Sequence, residues 1–197
     1  MRLLLASASA ARRRLLEAAG VPFATVDTRF DEDDAKTALR ACGIGAAKVA
    51  VRLAEGKARA ACNSTEALIL GCDQTLELAD GTRLDKPADR ADLIRQLGRM
   101  SGQSHRLHAA ACIVEQGEMI WRCVESVTMH VRPLGSAFLR DYVDREWEQV
   151  RWSVGGYHVE GRGAQLFERI DGSHFAVQGL PLLPLLGFLR TRGLVRE

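Results

Sequence analysis

The spacing of apolar and polar positions changes along this chain, and each change marks an element. Leu3-Leu4-Leu5-Ala6 is a short unbroken apolar run, the pattern of a strand covered on both faces. Ser7-Ala8-Ser9 interrupts it. A helix is expected over about Ala10–Ala19, with Gly20 as its stop and Pro22 just beyond. Phe23–Val26 reads as a second strand, and Phe30–Asp34 as an acidic cluster in a loop or at a helix start. A long Ala- and Arg-rich helix is expected over Ile44–Cys62, with Val49 and Leu53 on one face, Lys57 further on, and Asn63-Ser64-Thr65 as its end.

Leu68–Cys72 repeats the fully apolar strand pattern and breaks off abruptly at Asp73-Gln74-Thr75. Leu76–Leu78 and Arg83-Leu84 flank Ala79–Thr82 as a hairpin, which Lys86-Pro87 closes. Asp89–Met100 reads as helix, stopped by Ser101-Gly102. His105–Val114 and Met119–Val131 read as long strands joined around Gln116-Gly117, and Ser136–Glu146 as helix. The glycines of Gly155–Gly163 mark a loop-rich stretch. A hairpin is expected from Phe167–Ile170 and Phe175–Val177 about the turn Asp171–Ser173. Gly179-Leu180-Pro181 leads into a last helix, about Leu183–Arg192, with Pro184 in its first turn. Strands alternating with helices predict an α/β fold with a mixed sheet.

Composition narrows the function classes. A chain of 197 residues can bury a full core as one domain, so a single domain over residues 1–197 is expected. A net charge of +2, without a basic–aromatic surface pattern, argues against nucleic acid or an acidic membrane as partner. No stretch approaches the roughly 18 apolar residues of a membrane span. Arg2, three leucines and Ala6-Ser7-Ala8 mimic a miniature signal peptide, but the apolar stretch falls short of the roughly 7–15 residues needed. A transit peptide is opposed by the strand-then-helix pattern and by Glu17. A soluble, uncleaved, cytoplasmic protein is expected. Five cysteines with no CxxC pair indicate neither a zinc site nor a disulfide framework; Cys72 and Cys112 read as small core residues of a protein in a reducing compartment.

Against that background a few residues carry candidate chemistry. A helix start is rich in unpaired N–H groups and favours anions. Ser7, Ser9 and Arg12 would add hydroxyls and a planar, permanently charged fork suited to phosphate, or Ser9 simply caps the helix. Asp73 at the end of an apolar strand is costly to bury unless it is paired or binds a metal. Lysine occurs only at positions 36, 48, 57 and 86; Lys86 before Pro87 could offer a point charge to a phosphate or stand as a solvated turn residue, and Lys57 has a solvated helix face as its default. His105 is a candidate acid–base group or a strand-entry structural histidine, and Glu32 alone reads as a surface acid. No GxGxxG or Gx4GK[ST] loop and no GxSxG elbow is present.

Taken in order, these segments resemble the Maf family of nucleotide pyrophosphatases along nearly the whole chain. LLLASASAAR at Leu3–Arg12 resembles the family's LASxSPRR opening, and Phe30-Asp31-Glu32 its V-D-E element. Leu53-Ala54 with Lys57-Ala58 is similar to LAxxKA, and Leu70–Thr75 to the IGAD[TQ] strand end. Lys86-Pro87 resembles GKP, and Ser101-Gly102 with His105 resembles SGxxH. The closing match is Gly155–Gly163 with Asp171-Gly172 and Gly179-Leu180-Pro181.

The resemblance implies a mixed twisted sheet flanked by helices, of the Maf/ITPase type. It implies hydrolysis of a nucleoside triphosphate to the monophosphate and pyrophosphate, with Mg²⁺ or Mn²⁺ as cofactor, by a homodimer. Carried over by position, Ser7, Ser9, Arg12, Lys57 and Lys86 become phosphate ligands. Glu32 and Asp73 become the acidic, metal-binding side, with Asp73 as base, metal ligand or both. Ala11, Gln74 and Glu160 fall at the positions that distinguish substrate branches, and the last two match the 7-methyl-GTP branch rather than the dTTP/UTP branch. Ala10-Ala11 departs from the family's Pro-Arg or Pro-Trp, and Asp85 replaces the glycine of GKP. These departures leave a second reading, a non-catalytic nucleotide-binding regulator linked to cell division.

Overall fold

The computed structural model describes residues 2–62 and 67–196. In chain order the elements begin β1 (Arg2–Ala6), α1 (Ala10–Ala18), β2 (Phe23–Thr25), α2 (Glu32–Ala41), α3 (Ala46–Ala60), β3 (Ala67–Leu78) and β4 (Arg83–Leu84). They continue with α4 (Arg90–Met100), β5 (Ser104–Glu115), β6 (Glu118–Val131) and α5 (Ser136–Val150). A short 3-10 turn, β7 (Phe167–Asp171), α6 (His174–Val177) and α7 (Leu182–Thr191) close the chain. The strands form a mixed sheet in the order β2-β1-β3-β5-β6-β7, with β4 on β3, so the α/β expectation holds. The proposed helix stop at Asn63–Thr65 lies outside the described residues.

Contacts divide the chain into two compact units, and β3, β5 and β6 each run from one into the other. The first comprises Met1–Gln74, His108–Glu125 and Ser173–Glu197. In it β1 pairs parallel with β2 (Leu3↔Phe23) and with β3 (Leu3↔Leu68, Ala6↔Gly71). Successive side chains of a strand point to opposite faces. Leu3, Leu5, Leu68, Leu70 and Cys72 therefore pack with Leu15 and Leu16 of α1 and with Leu182, Leu185 and Leu189 of α7. Leu4, Ala6 and Ile69 pack on the other face against Ala50, Ala54 and Ala58 of α3. Both faces are covered, which is why these strands read as unbroken apolar runs.

The alanine stripe lets α3 come close to the sheet. Gly71 completes the fit: a Cβ there would overlap the backbone oxygen of Ala54 and stand 2.9 Å from Ala58 Cβ. Between β5 and β6, Gln116 (φ 50°) and Gly117 (φ 84°) form a two-residue hairpin link with both central residues left-handed.

The second unit comprises Thr75–Leu107 and Ser126–Gly172. There the end of β3 pairs antiparallel with β4 (Leu76↔Leu84), and the end of β6 with β7 (Met129↔Ile170). Helices α4 and α5 pack on one another. Helix α5 runs a turn beyond the expected Glu146 because Leu139, Val143, Trp147 and Val150 keep one buried stripe.

Two expectations are corrected. Asp73 does not end a strand: β3 continues to Leu78, since the hairpin to β4 keeps its backbone paired. Phe175–Val177 is not a strand but part of one helical turn, because Ser173 caps α6 and accepts a hydrogen bond from Ala176 N at 3.4 Å.

Candidate active site

The sheet order β2-β1-β3 makes the carboxyl end of β1, beside Gly71 of β3, a topological switch point, where open α/β sheets leave a crevice for ligands. The turn after β1 is built there. Ser9 caps α1 and its Oγ accepts from Arg12 N, while Ser7 Oγ accepts from Ser9 N at 3.3 Å. Arg12 is buried. Its Nη1 donates to Ser7 Oγ (3.0 Å) and to Cys72 O (3.1 Å), and its Nε donates to Gly179 O (2.8 Å). Gly179 (φ 92°) lets this approach happen, since a Cβ would stand 3.2 Å from Arg12 Nε.

Three of the five guanidinium N–H bonds thus go to protein oxygens. Arg12 ties the β1–α1 turn to β3 and to the turn before α7. Arg12→Met leaves buried acceptors unpaired and is expected to lower unfolding stability by about 1–3 kcal/mol, read as a lower urea midpoint. An unchanged midpoint would return Arg12 to a purely ligand-binding role.

Beside this turn a cleft of about 260 Å³ is lined by Ser7, Ser9, Arg13, Thr25, Asp27 and Thr28, among others. Arg13 and Thr25–Thr28 carried no role in the sequence. The three-arginine run held the clue, because helical geometry turns Arg12 inward and leaves Arg13 exposed.

The acidic side is assembled from three elements. Asp31 caps α2 and accepts from Asp34 N (3.0 Å), which sets Glu32 as the first helical residue. The Phe30 ring lies directly on Gly56, where a Cβ would overlap it, and this holds the α2 start against α3 beside Lys57. Lys57 Nζ then stands 2.7 Å from Glu32 Oε2 and 2.5 Å from Asp73 Oδ1, and Lys36 Nζ stands 2.5 Å from Glu32 Oε1. Burial alone would raise the Glu32 pKa, but Lys57 and Lys36 outweigh it and hold the carboxyl at about 2. Glu32 is therefore ionised throughout the neutral range.

Asp73 is 4% exposed, and its Oδ2 is buried with no hydrogen bond among the described residues. A carboxylate oxygen left unpaired in a protein interior calls for an ion, a water or a catalytic task. No group of three or more His, Cys, Asp or Glu side chains forms a metal cage among the described residues. Glu32 and Asp73 offer two carboxylates instead. That suits Mg²⁺ or Mn²⁺, which take one or two protein carboxylates and complete their shell with waters and phosphate oxygens.

The other expected residues fall as follows. Gln74 Nε2 donates to Ala176 O (2.9 Å) and Val177 O (3.1 Å), so its amide anchors α6. Ala11 lies half-buried in the first turn of α1. Lys86 and Glu160 are exposed in the second unit. His105 is buried, its Nε2 meets Tyr157 Oη at 2.7 Å, and its ring packs near Phe167. Burial, with a smaller push from His130, lowers its pKa to about 4. The five cysteines are free, with Cys72 and Cys112 buried. Among the described residues no helix is long and apolar enough to cross a membrane.

Residues 2–192 match the sequence model of the family described as Maf-like protein. A Sphingopyxis alaskensis protein named nucleoside triphosphate pyrophosphatase is 42% identical over 198 residues, covering 100% of both chains. Nucleoside triphosphate pyrophosphatase 1 of Jannaschia sp. is 46% identical over 195 residues, 98% of each chain. A Rhizobium meliloti protein named 7-methyl-GTP pyrophosphatase is 43% identical over 195 residues, 98% of this chain and 97% of the other.

Proposed function

This chain belongs to the family of Maf-like proteins, and from that membership we propose that it is a nucleoside triphosphate pyrophosphatase. Water attacks the α-phosphorus, a new P–O bond forms, and the bond from that phosphorus to its bridging oxygen breaks. Pyrophosphate leaves with the electron pair, and the proton of the water passes to a base. One observation carries this reading: Lys57 holds Asp73 by Oδ1 while the buried Oδ2 has no partner among the described residues. Asp73 Oδ2 is the atom in this reading that orients the water and takes its proton.

The leaving group sets the rest of the requirement. Pyrophosphate carries away charge, so donors and cations aimed at it lower the barrier. The Ser7–Ser9 turn offers a hydroxyl and the start of α1, and Lys57 offers a mobile point charge. Arg12 acts mainly by shaping that turn. Lys86 and Glu160 enter through the family resemblance alone. Glu32 and Asp73 would hold Mg²⁺ or Mn²⁺, which when bound would supply further neutralisation of the phosphate oxygens.

For the base, positions 74 and 160 favour a 7-methyl-GTP-like substrate and so house-cleaning of a modified nucleotide. Gln74 and Glu160 match that branch, and the Rhizobium meliloti relative bears that name. The donors of Gln74 are engaged by α6. Its remaining acceptor suits, in type, the N–H edge of a guanine. Ala11 supplies no ring to stack on a cationic base, which keeps dTTP or UTP as the alternative.

The test is pyrophosphate release from 7-methyl-GTP, GTP, dTTP, UTP and CTP with Mg²⁺ or Mn²⁺. The fastest release is expected from 7-methyl-GTP. Fastest release from dTTP or UTP would move the chain to the other branch. Tight binding without release from any would favour the regulator.

A further inference from the structure

Lys57 stands where a cation is needed, and it is already there. Its ammonium makes short contacts to a carboxylate from α2 and to one from β3, 2.7 and 2.5 Å away. The three side chains are largely covered, with Lys57 at 13%, Asp73 at 6% and Glu32 at 26% exposure. With Lys36 on Glu32, two carboxylates face two ammonium groups, and these four groups sum to no net charge. A dication entering alone would displace a well-placed ammonium and leave surplus positive charge in a partly buried site. A dication entering with a triphosphate brings compensating anionic oxygens, to which the released ammonium can turn. Only the side chain need move, because Ala50, Ala54 and Ala58 pack α3 against the sheet while lysine has a flexible four-carbon stem.

We propose that Lys57 is the resident counter-ion of this site: it bridges Glu32 and Asp73 before nucleotide arrives and yields that place when a divalent cation enters with the triphosphate. This rests on the pyrophosphatase reading and adds an order of events, in which free metal binds weakly and metal–nucleotide binds well. Lys57 engages only Oδ1, so the place it yields on Asp73 is that oxygen, and Oδ2 stays available to the water.

Mn²⁺ binding to the nucleotide-free protein, followed by the loss of the free-ion electron paramagnetic resonance signal, tests the idea without turnover. Lys57→Met is expected to bind Mn²⁺ about tenfold more tightly than wild type, because both carboxylates lose their cation. Its melting temperature should fall without metal and recover with Mn²⁺ by more than that of wild type. Lys57→Gln carries the same expectation if the methionine variant does not fold. Wild type should reach comparable Mn²⁺ affinity only with a non-hydrolysable α,β-methylene triphosphate present.

Equal or weaker Mn²⁺ binding by the Lys57 variants would overturn the counter-ion role. Asp73→Asn separates that failure from failure of the underlying reading. If Asp73→Asn loses Mn²⁺ in the presence of the analogue while the Lys57 variants gain nothing, only the counter-ion role falls. If it binds Mn²⁺ like wild type and wild type releases no pyrophosphate, the site reading itself falls.

Discussion

Asp73→Asn is expected to reduce the turnover of pyrophosphate release by about 10²–10⁴-fold, the range for loss of a positioned general base. The substitution is close to isosteric. The amide oxygen can still accept from Lys57 in place of Oδ1, so the Lys57 contact and the β3 register have no reason to break. What disappears is the charge and the free acceptor: the buried position of Oδ2 becomes an NH₂ group, which cannot take a proton from water. Contacts to phosphate through the Ser7–Ser9 turn are untouched, so at saturating divalent cation the fall should lie in kcat, with the nucleotide KM moving far less. Steady-state rates on the best nucleotide of the panel, with a thermal melt to verify folding, decide it. Turnover within a few-fold of wild type would remove Asp73 from the chemistry.

Gly71→Ala has the largest expected effect on the fold, at least about 3 kcal/mol of stability, toward the upper end for overpacked interiors. Added methyl groups are tolerated when a flexible side chain can swing aside. Here the obstacle is the backbone oxygen of Ala54, with Ala58 Cβ at 2.9 Å beside it, so α3 must leave the sheet or β3 must bend. Either movement separates Lys57 from Asp73, and activity should fall together with the urea midpoint. Gly98→Ala is the matched control: that position lies in α4 with nothing within 4 Å of the added carbon. It should stabilise by up to about 1 kcal/mol through helix propensity. A Gly71→Ala protein unfolding at the wild-type urea concentration would refute the close-approach argument.

Gly71 also illustrates what a linear reading can and cannot reach. In the sequence it is one letter of a family-like string, with no sign of what lies over it. The overlap arises from a helix that ends before β3 begins, and the contact belongs to the packed layers rather than to either segment. Glu32 is a similar case. Alone it is a surface acid; Phe30 resting on Gly56 turns it toward Lys57. Arg12 is the converse case, since a guanidinium beside two serines suits phosphate by local chemistry alone. Its partners Cys72 O and Gly179 O are main-chain atoms that no side-chain pattern announces.

By itself the sequence determined the alternation of strands and helices, the serine-capped turn after the first strand, and the candidacy of Asp73. Each follows from interactions within a few residues: side-chain period, capping, and the cost of a carboxylate in an apolar run. Only the tertiary structure decided that β3 carries Asp73 onward to Leu78, that Ser173–Val177 turns as helix, and that Gln74 and Arg12 donate to main-chain oxygens of distant segments. It alone set Lys57 in direct contact with both Glu32 and Asp73. Those outcomes depend on which segments meet across the sheet, and hydrogen bonds and ion pairs between distant segments leave no periodic trace in the chain.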